Sequence, residues 1–255
     1  MTIVLRSQLE IEKLRRSGEI TADVMDALGR AISPGMTTLD LEKEALRVME
    51  ERGVRSAFKG YHGYPGYICV SVNEEIVHGI PGKRRIKDGD IVSLDVGIVK
   101  DGYYGDMART FPVGRVAGDR MALLQATEEA LMRGIAQAVP GNRLHDISHA
   151  VEKCATSAGY SVVKVFVGHG IGTRMHEDPQ VPNFGRPHTG PVLRSGMVLA
   201  IEPMVNAGTS DVVVLSDGWT AITKDGKLSA HFEHTIAITE DGPEILTCRR
   251  KNRFG

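Results

Sequence analysis

Four acidic side chains sit in or beside apolar, strand-like runs, where an unpaired charge is costly. Asp95 ends Ile91-Val92-Ser93-Leu94, Asp106 lies in the next strand-like segment, Glu202 follows Val198-Leu199-Ala200-Ile201, and Glu233 opens onto Thr235-Ile236-Ala237-Ile238. Burying a lone carboxylate costs several kcal/mol or forces it to take up a proton. These runs contain no lysine or arginine, and His169 follows the apolar run Val162–Val167. Two divalent cations would balance four carboxylates, so any fold for this chain must bring the five residues together. Taken singly, each acid reads as a strand cap, turn residue or loop acid; the joint pattern reverses that reading.

A 255-residue chain with 42% hydrophobic and 25% charged residues has ample material for a globular core. The net charge of -1 gives no basic footprint for DNA or other nucleic acid. The basic tail Arg249-Arg250-Lys251-Asn252-Arg253 reads as a solvated terminus. Cys69, Cys154 and Cys248 share no short spacing, which argues against a disulfide framework or zinc knuckle and fits a reducing, cytoplasmic compartment. The charged N-terminus does not read as a signal peptide, and no apolar stretch is long enough for a membrane span.

Helical spacing runs over 7–32, with Leu9, Leu14, Ile20, Val24 and Leu28 apolar, until Ser33-Pro34-Gly35 stops it. A second helix is expected over about 38–52, capped by Thr37 or Thr38, with others near 119–138 and 143–158. Loops and short strands are expected over 54–77, a hairpin over 90–114, and strands near 161–167, 197–204, 211–215 and 231–239. An internal repeat aligns 87–95 with 194–202 at an offset of 107, superposing Asp95 on Glu202. The helix stops at Pro34-Gly35 and Pro140-Gly141 match at an offset of 106. The expectation is one catalytic domain, 1–255, built of two αβ halves (about 1–115 and 116–255) with the site between them.

Asp101-Gly102 is a two-residue hairpin signal. Closing there pairs Lys100 with Tyr103 and Gly97 with Asp106, so Asp95 and Asp106 become diagonal neighbours about 7 Å apart on one face. Gly97 would leave room for ions between them. Oxygen-rich ligation with one imidazole suits Mn, Fe, Co or Zn. Gly168-His169-Gly170-Ile171-Gly172 has the wrong glycine spacing for a dinucleotide loop. His145 and His149 fall off the buried stripe of their helix and read as a solvated face.

The ordered motifs resemble those of type I methionine aminopeptidases over about residues 8–248. They are Gly60-Tyr61-His62-Gly63-Tyr64-Pro65, Val72-Asn73-Glu74, Val77-His78-Gly79-Ile80-Pro81, Asp88-Gly89-Asp90, Leu94-Asp95-Val96 and Gly105-Asp106. Further along come Gly168-His169-Gly170-Ile171-Gly172, His176-Glu177-Asp178-Pro179, Ile201-Glu202-Pro203 and Phe232-Glu233-His234-Thr235. The resemblance implies an α+β pita-bread fold: pseudo-two-fold αβ halves with a curved antiparallel sheet covered by helices. It implies removal of initiator methionine from nascent chains whose second residue is small. Its partners would be N-terminal methionyl peptides, with transient ribosome contact, no membrane, and action as a monomer.

The resemblance also implies two divalent ions (Co, Mn, Fe or Zn), with Asp106 and Glu233 bridging them. Asp95 would complete one shell, and His169 and Glu202 the other. His78 and His176 would contact substrate near the scissile bond, and Glu202 would shuttle a proton. Phe58, Tyr61, Tyr64, Cys69 and Trp219 are expected to line the methionine pocket. Phe58 stands where a cysteine is often found, and Met175 where an aromatic is often found. Rival readings are an X-Pro peptidase or creatinase-like hydrolase of the same fold, which usually carries a large N-terminal domain for which this chain has no room, and a non-catalytic pita-bread binding module.

Overall fold

A computed structural model describes residues 2–249. Its first helix, α1 (Gln8–Ala31), opens with a capping box in which Ser7 and Glu10 satisfy each other's backbone donors. Ile11, Leu14, Gly18, Ala22, Met25 and Leu28 form its buried stripe, and Leu9 points away from that stripe into solvent. For α2 (Thr38–Glu51) the cap is Thr37, because its hydroxyl and the Asp40 carboxylate form the same reciprocal box. The helices α3 (Gly118–Ile135) and α4 (Leu144–Ser157) follow the expected positions.

The strands Ile91–Lys100 and Tyr103–Pro112 form the expected hairpin, with Lys100 opposite Tyr103 and Gly97 opposite Asp106. Asp101 and Gly102 both adopt positive φ, as a right-twisted two-residue turn requires. The strand Ile91–Lys100 also pairs with Arg55–Ser56 and Cys69–Val72, making a four-stranded antiparallel sheet. α1 and α2 cover it through a core that includes Leu28, Leu41, Val92 and Leu94. A five-stranded antiparallel sheet runs Gly242–Ile245, His234–Thr239, Val198–Ile201, Gly168–Gly170, Glu177–Val181. It shares a core with α3 and α4 that includes Leu131, Ile147, Leu199 and Ile236. The repeat landmarks recur in three dimensions: Gly89 and Gly196 both turn with positive φ, and strands begin two residues later at Ile91 and Val198.

Three strand expectations need correction. The run near 161–167 is a strand only over Ser161–Val162, and His169 lies within its own strand, Gly168–Gly170. The run 197–204 divides into Val198–Ile201 and Met204–Asn206, because Pro203 has no N–H for a ladder. The run 231–239 divides into Ser229–His231 and His234–Thr239. These two breaks face each other, since Ile201 pairs with His234 and Met204 with His231. Strands at 221–223 and 242–245 were not anticipated. Arg249 pairs with Asp23 at 2.7 Å, while 250–253 of the basic tail lie outside the described residues.

The two sheets are joined by hydrogen bonds between the second hairpin strand and the segment 231–235. Thr110 Oγ1 donates to the His231 carbonyl and accepts from its N–H (2.9 and 2.8 Å). Glu233 N donates to the Ala108 carbonyl (2.8 Å), and Thr235 Oγ1 donates to the Asp106 carbonyl (2.8 Å). Every second residue is tied, in antiparallel order, so one backbone hydrogen bond and two threonine hydroxyls bring Asp106 and Glu233 together.

Helix α1 lies close against residues 246–247 because Gly18 has no side chain. A Cβ there would come within 2.7 Å of the Leu246 carbonyl carbon. Gly18→Ala gains at most about 1 kcal/mol of helix propensity, whereas overpacking against backbone costs about 1–3 kcal/mol. The variant is therefore expected to be less stable, by about 1–2 kcal/mol in a denaturant titration. An unchanged or raised midpoint would contradict the close packing.

Candidate metal centre

Asp95 and Asp106 come from neighbouring hairpin strands, Glu202 and Glu233 from the two facing strand breaks, and His169 from the adjacent strand. A strand break frees a residue from the up-and-down alternation, so Glu202 and Glu233 can both turn inward. One ligand atom each from Asp106, His169 and Glu233 fall within 4.8 Å of one another. His169 Nε2 is 3.7 Å from Asp106 Oδ2 and 3.4 Å from Glu202 Oε1. Asp95 lies on the neighbouring strand, diagonal to Asp106, and its buried carboxyl lines the same site.

The electrostatics fit a cation site. Burial pushes Asp95 up to about 7, and pushes Asp106, Glu202 and Glu233 well above the usual carboxylate range, with neighbouring carboxylates adding to the shift. Burial lowers His169 to about 3, so its imidazole is neutral at neutral pH and its contacts with the acids are not ion pairs. His169 Nδ1 lies 2.9 Å from the Gly170 carbonyl, which can only accept. The proton therefore sits on Nδ1, and the Nε2 lone pair faces the acids. Asp95 Oδ1, Asp106 Oδ1 and Glu233 Oε1 are buried without a hydrogen-bond partner. Among the described residues, none of the four carboxylates has an ion pair with lysine or arginine. Orphaned acceptors, a neutral imidazole and carboxylate oxygens together match the donor set of a hard or borderline divalent ion.

A cavity of about 230 Å³ opens beside this cluster. The structure places every residue singled out from the sequence on its wall: the five acid and imidazole positions, His78, His176, Phe58, Tyr61, Tyr64, Cys69 and Trp219. His78 adopts positive φ and packs edge-on to Phe166 and Trp219; burial lowers it to about 4, leaving it neutral. His176 is lowered by burial as well, and its Nδ1 is 2.8 Å from the Tyr61 hydroxyl. The Tyr64 hydroxyl lies between the Ile68 and Gly79 carbonyls at 3.1 and 3.0 Å, which turns its ring edge-on to Trp219.

One expectation fails. The space left by Gly97 holds the Phe58 ring, not ions: a Cβ on Gly97 would lie 2.9 Å from Phe58 Cζ. Met175, noted from sequence beside Phe58 as a departure bearing on the pocket, lines the cavity, as does His62, which was not assigned there. His231 was missed entirely. It is buried, its Nε2 has no partner, and that atom lies 3.9 Å from Glu202 Oε2. Its place two residues before Glu233, within the run expected as one strand, was the available signal, although the break at 232–233 and not strand alternation brings the two together. His145, assigned to a solvated face, is half-buried and bonds Thr189 Oγ1 at 2.8 Å, far in function from the acids.

This arrangement is that of a known family. The chain belongs to metallopeptidase family M24, whose sequence profile matches residues 12–240. Within that family it groups with the methionine aminopeptidases. It is 51% identical over 245 residues to methionine aminopeptidase 1 of Bacillus subtilis, covering 96% of this chain and 99% of that protein. The crystal structure of methionine aminopeptidase from Thermotoga maritima matches with a TM-score of 0.96 and 49% identity, covering 97% of this chain and all of that one. Prolidase from Pyrococcus furiosus, at 23% identity and a TM-score of 0.79, shares the fold and spans beyond it, with 66% of its chain covered. The α+β pita-bread architecture is thereby established, and family membership brings with it the use of metal.

Because the acids hold protons that a cation must displace, metal affinity should rise as pH climbs through about 7, the position of Asp95. His169 is already deprotonated and contributes no proton. Calorimetric titration of Mn²⁺ into stripped protein, in buffers of different ionisation heat, should show more protons released at pH 6 than at pH 8. No release at either pH would contradict the cluster's electrostatics.

Proposed function

We propose that this chain removes the N-terminal methionine from nascent proteins whose second residue is small, using two divalent ions. The observation that carries the reading is the set of buried, unpartnered carboxylate oxygens at the wall of an aromatic-lined cavity. Asp106 and Glu233 would hold both ions, with Asp95 adding to the hold on one, and His169 and Glu202 to the hold on the other. Divalent ions in such a site supply Lewis-acid polarisation of the scissile carbonyl and a water acidified from about 15.7 to about 7.

The remaining chemistry belongs to the side chains. Glu202, beside the ions, would take a proton from the attacking water and pass it to the departing amine. His176 Nδ1 lies 2.8 Å from the Tyr61 hydroxyl; with that hydroxyl as the donor, the imidazole N–H would sit on Nε2, free to donate to the developing oxyanion. His78, also neutral, is a second N–H donor near the scissile bond. Such acid–base help is worth about 10²–10⁴-fold, or roughly 3–5 kcal/mol. Phe58, Tyr61, Tyr64, Cys69 and Trp219 receive the methionine side chain, whose polarisable sulfur suits aromatic edges.

The same reading makes the chain one catalytic domain whose halves meet near residue 115. It works as a monomer in the cytoplasm on chains at the ribosome. Free Cys69, Cys154 and Cys248 fit a reducing compartment, and no helix among the described residues is long and apolar enough to cross a membrane.

The test is hydrolysis of Met-Ala-Ser, Met-Leu-Ser and an X-Pro peptide by stripped protein, with Mn, Fe, Co and Zn restored separately. Met-Ala-Ser should be cleaved only with metal, and at least about tenfold faster than Met-Leu-Ser, a difference of roughly 1.4 kcal/mol in barrier. Faster cleavage of the X-Pro peptide would favour the prolidase-like reading, and no cleavage with any metal the non-catalytic one. Glu233→Ala and Asp106→Ala should each lose bound metal and activity together; retention of two ions by either would refute its bridging place.

A further inference from the structure

The N-terminal strap crosses the turn that carries His176. Arg6 is buried, and its Nη2 forms an ion pair with Glu177, whose side chain is also buried. The other Glu177 oxygen accepts from the backbone N–H groups of Thr173 and Arg174, each at 3.0 Å. A single carboxylate therefore ties together both ends of the 173–177 turn, and Arg6 holds that carboxylate. The Arg6 guanidinium lies against Gly172, where a Cβ would come within 2.7 Å of Nε. The strap is anchored on both sides of Arg6. Arg6 N donates to the Gly196 carbonyl (2.7 Å), Arg6 Nη1 reaches Glu10 of the α1 capping box (3.4 Å), and Thr2 N donates to Asp178 Oδ2 (2.9 Å).

A buried ion pair gives little net stability over apolar packing, so its value here is geometric. Met175 and His176 occupy the turn between these tied residues, and both line the substrate cavity. Without Arg6, Glu177 would be buried and under-partnered. It would swing toward water and release the Thr173 and Arg174 amides, leaving His176 held by its bond to Tyr61 and its ring contacts with Tyr61 and His169.

We propose that Arg6 is a positioning residue for the hydrolytic reaction: through Glu177 it holds the 173–177 turn so that His176 Nε2 meets the substrate. The proposal rests on the role given to His176 above. A misplacement of about 1 Å at such a group can cost about 10²-fold in rate.

The experiment measures kcat and KM for Met-Ala-Ser with Arg6→Met, Arg6→Lys, His176→Ala and the Arg6→Met/His176→Ala double variant of the metal-loaded full chain. His176→Ala should lose about 10²–10³-fold in kcat. Arg6→Met should lose about 10–10²-fold in kcat with KM changed less than about threefold. Arg6→Lys should recover most of that loss, and the double variant should be no slower than His176→Ala, because residues acting as one unit are not additive. Additive losses would overturn the proposal. If Arg6→Met fails to fold, Glu177→Gln keeps an acceptor for the two amides, loses the charge, and should show the same non-additivity.

A readout independent of turnover is amide hydrogen exchange in the metal-free protein. Thr173 and Arg174 should exchange about tenfold faster or more in Arg6→Met, while amides of the hairpin keep their wild-type rates. Unchanged exchange overturns the Arg6 clamp alone. Wild-type turnover by His176→Ala would overturn the role of His176 and, with it, this proposal.

Discussion

Four carboxyl groups held around one neutral imidazole, out of reach of any lysine or arginine among the described residues, are the constraint on which the rest of the structure turns. Burial raises all four carboxyl groups toward their neutral forms, and neighbouring acids reinforce the shift of Asp106, Glu202 and Glu233. A fold that only needed stability would replace these groups with apolar ones at no loss. Their retention, with oxygens left unpartnered, is intelligible as the cost of holding cations beside a substrate cavity.

The architecture serves that cluster through two devices. One is the hairpin register, which places Asp95 and Asp106 as diagonal neighbours. The other is the pair of facing strand breaks at 202–203 and 232–233, which turn Glu202 and Glu233 inward at one level. Thr110, Ala108 and Asp106 then lock the hairpin against the second break residue by residue. The acids are therefore placed by the Glu233–Ala108 backbone hydrogen bond and by the Thr110 and Thr235 hydroxyls that flank it.

Much of this was legible in the chain. Asp101-Gly102 sets the hairpin register because only a primed turn matches the strand twist, and everything about the Asp95–Asp106 pair follows from it. The capping boxes at Ser7 and Thr37 mark helix starts with local chemistry. What escaped depends on long-range packing. Gly97 signals a close approach but cannot say that the Phe58 ring fills the space. Val163–Val167 has strand composition but follows Val162 out of the ladder. The break at Phe232-Glu233 has no proline to announce it and exists because Glu233 bonds Ala108 in the other sheet. Arg6 and Glu177 are 171 residues apart, and nothing local joins them.

The most direct measurement is anomalous diffraction from manganese-soaked crystals. The account predicts two peaks, each about 2.0–2.2 Å from an oxygen of Asp106 and of Glu233, with His169 on only one of them. Acids that keep their protons with no peak between them, or a single ion bound away from Asp106 and Glu233, would contradict it.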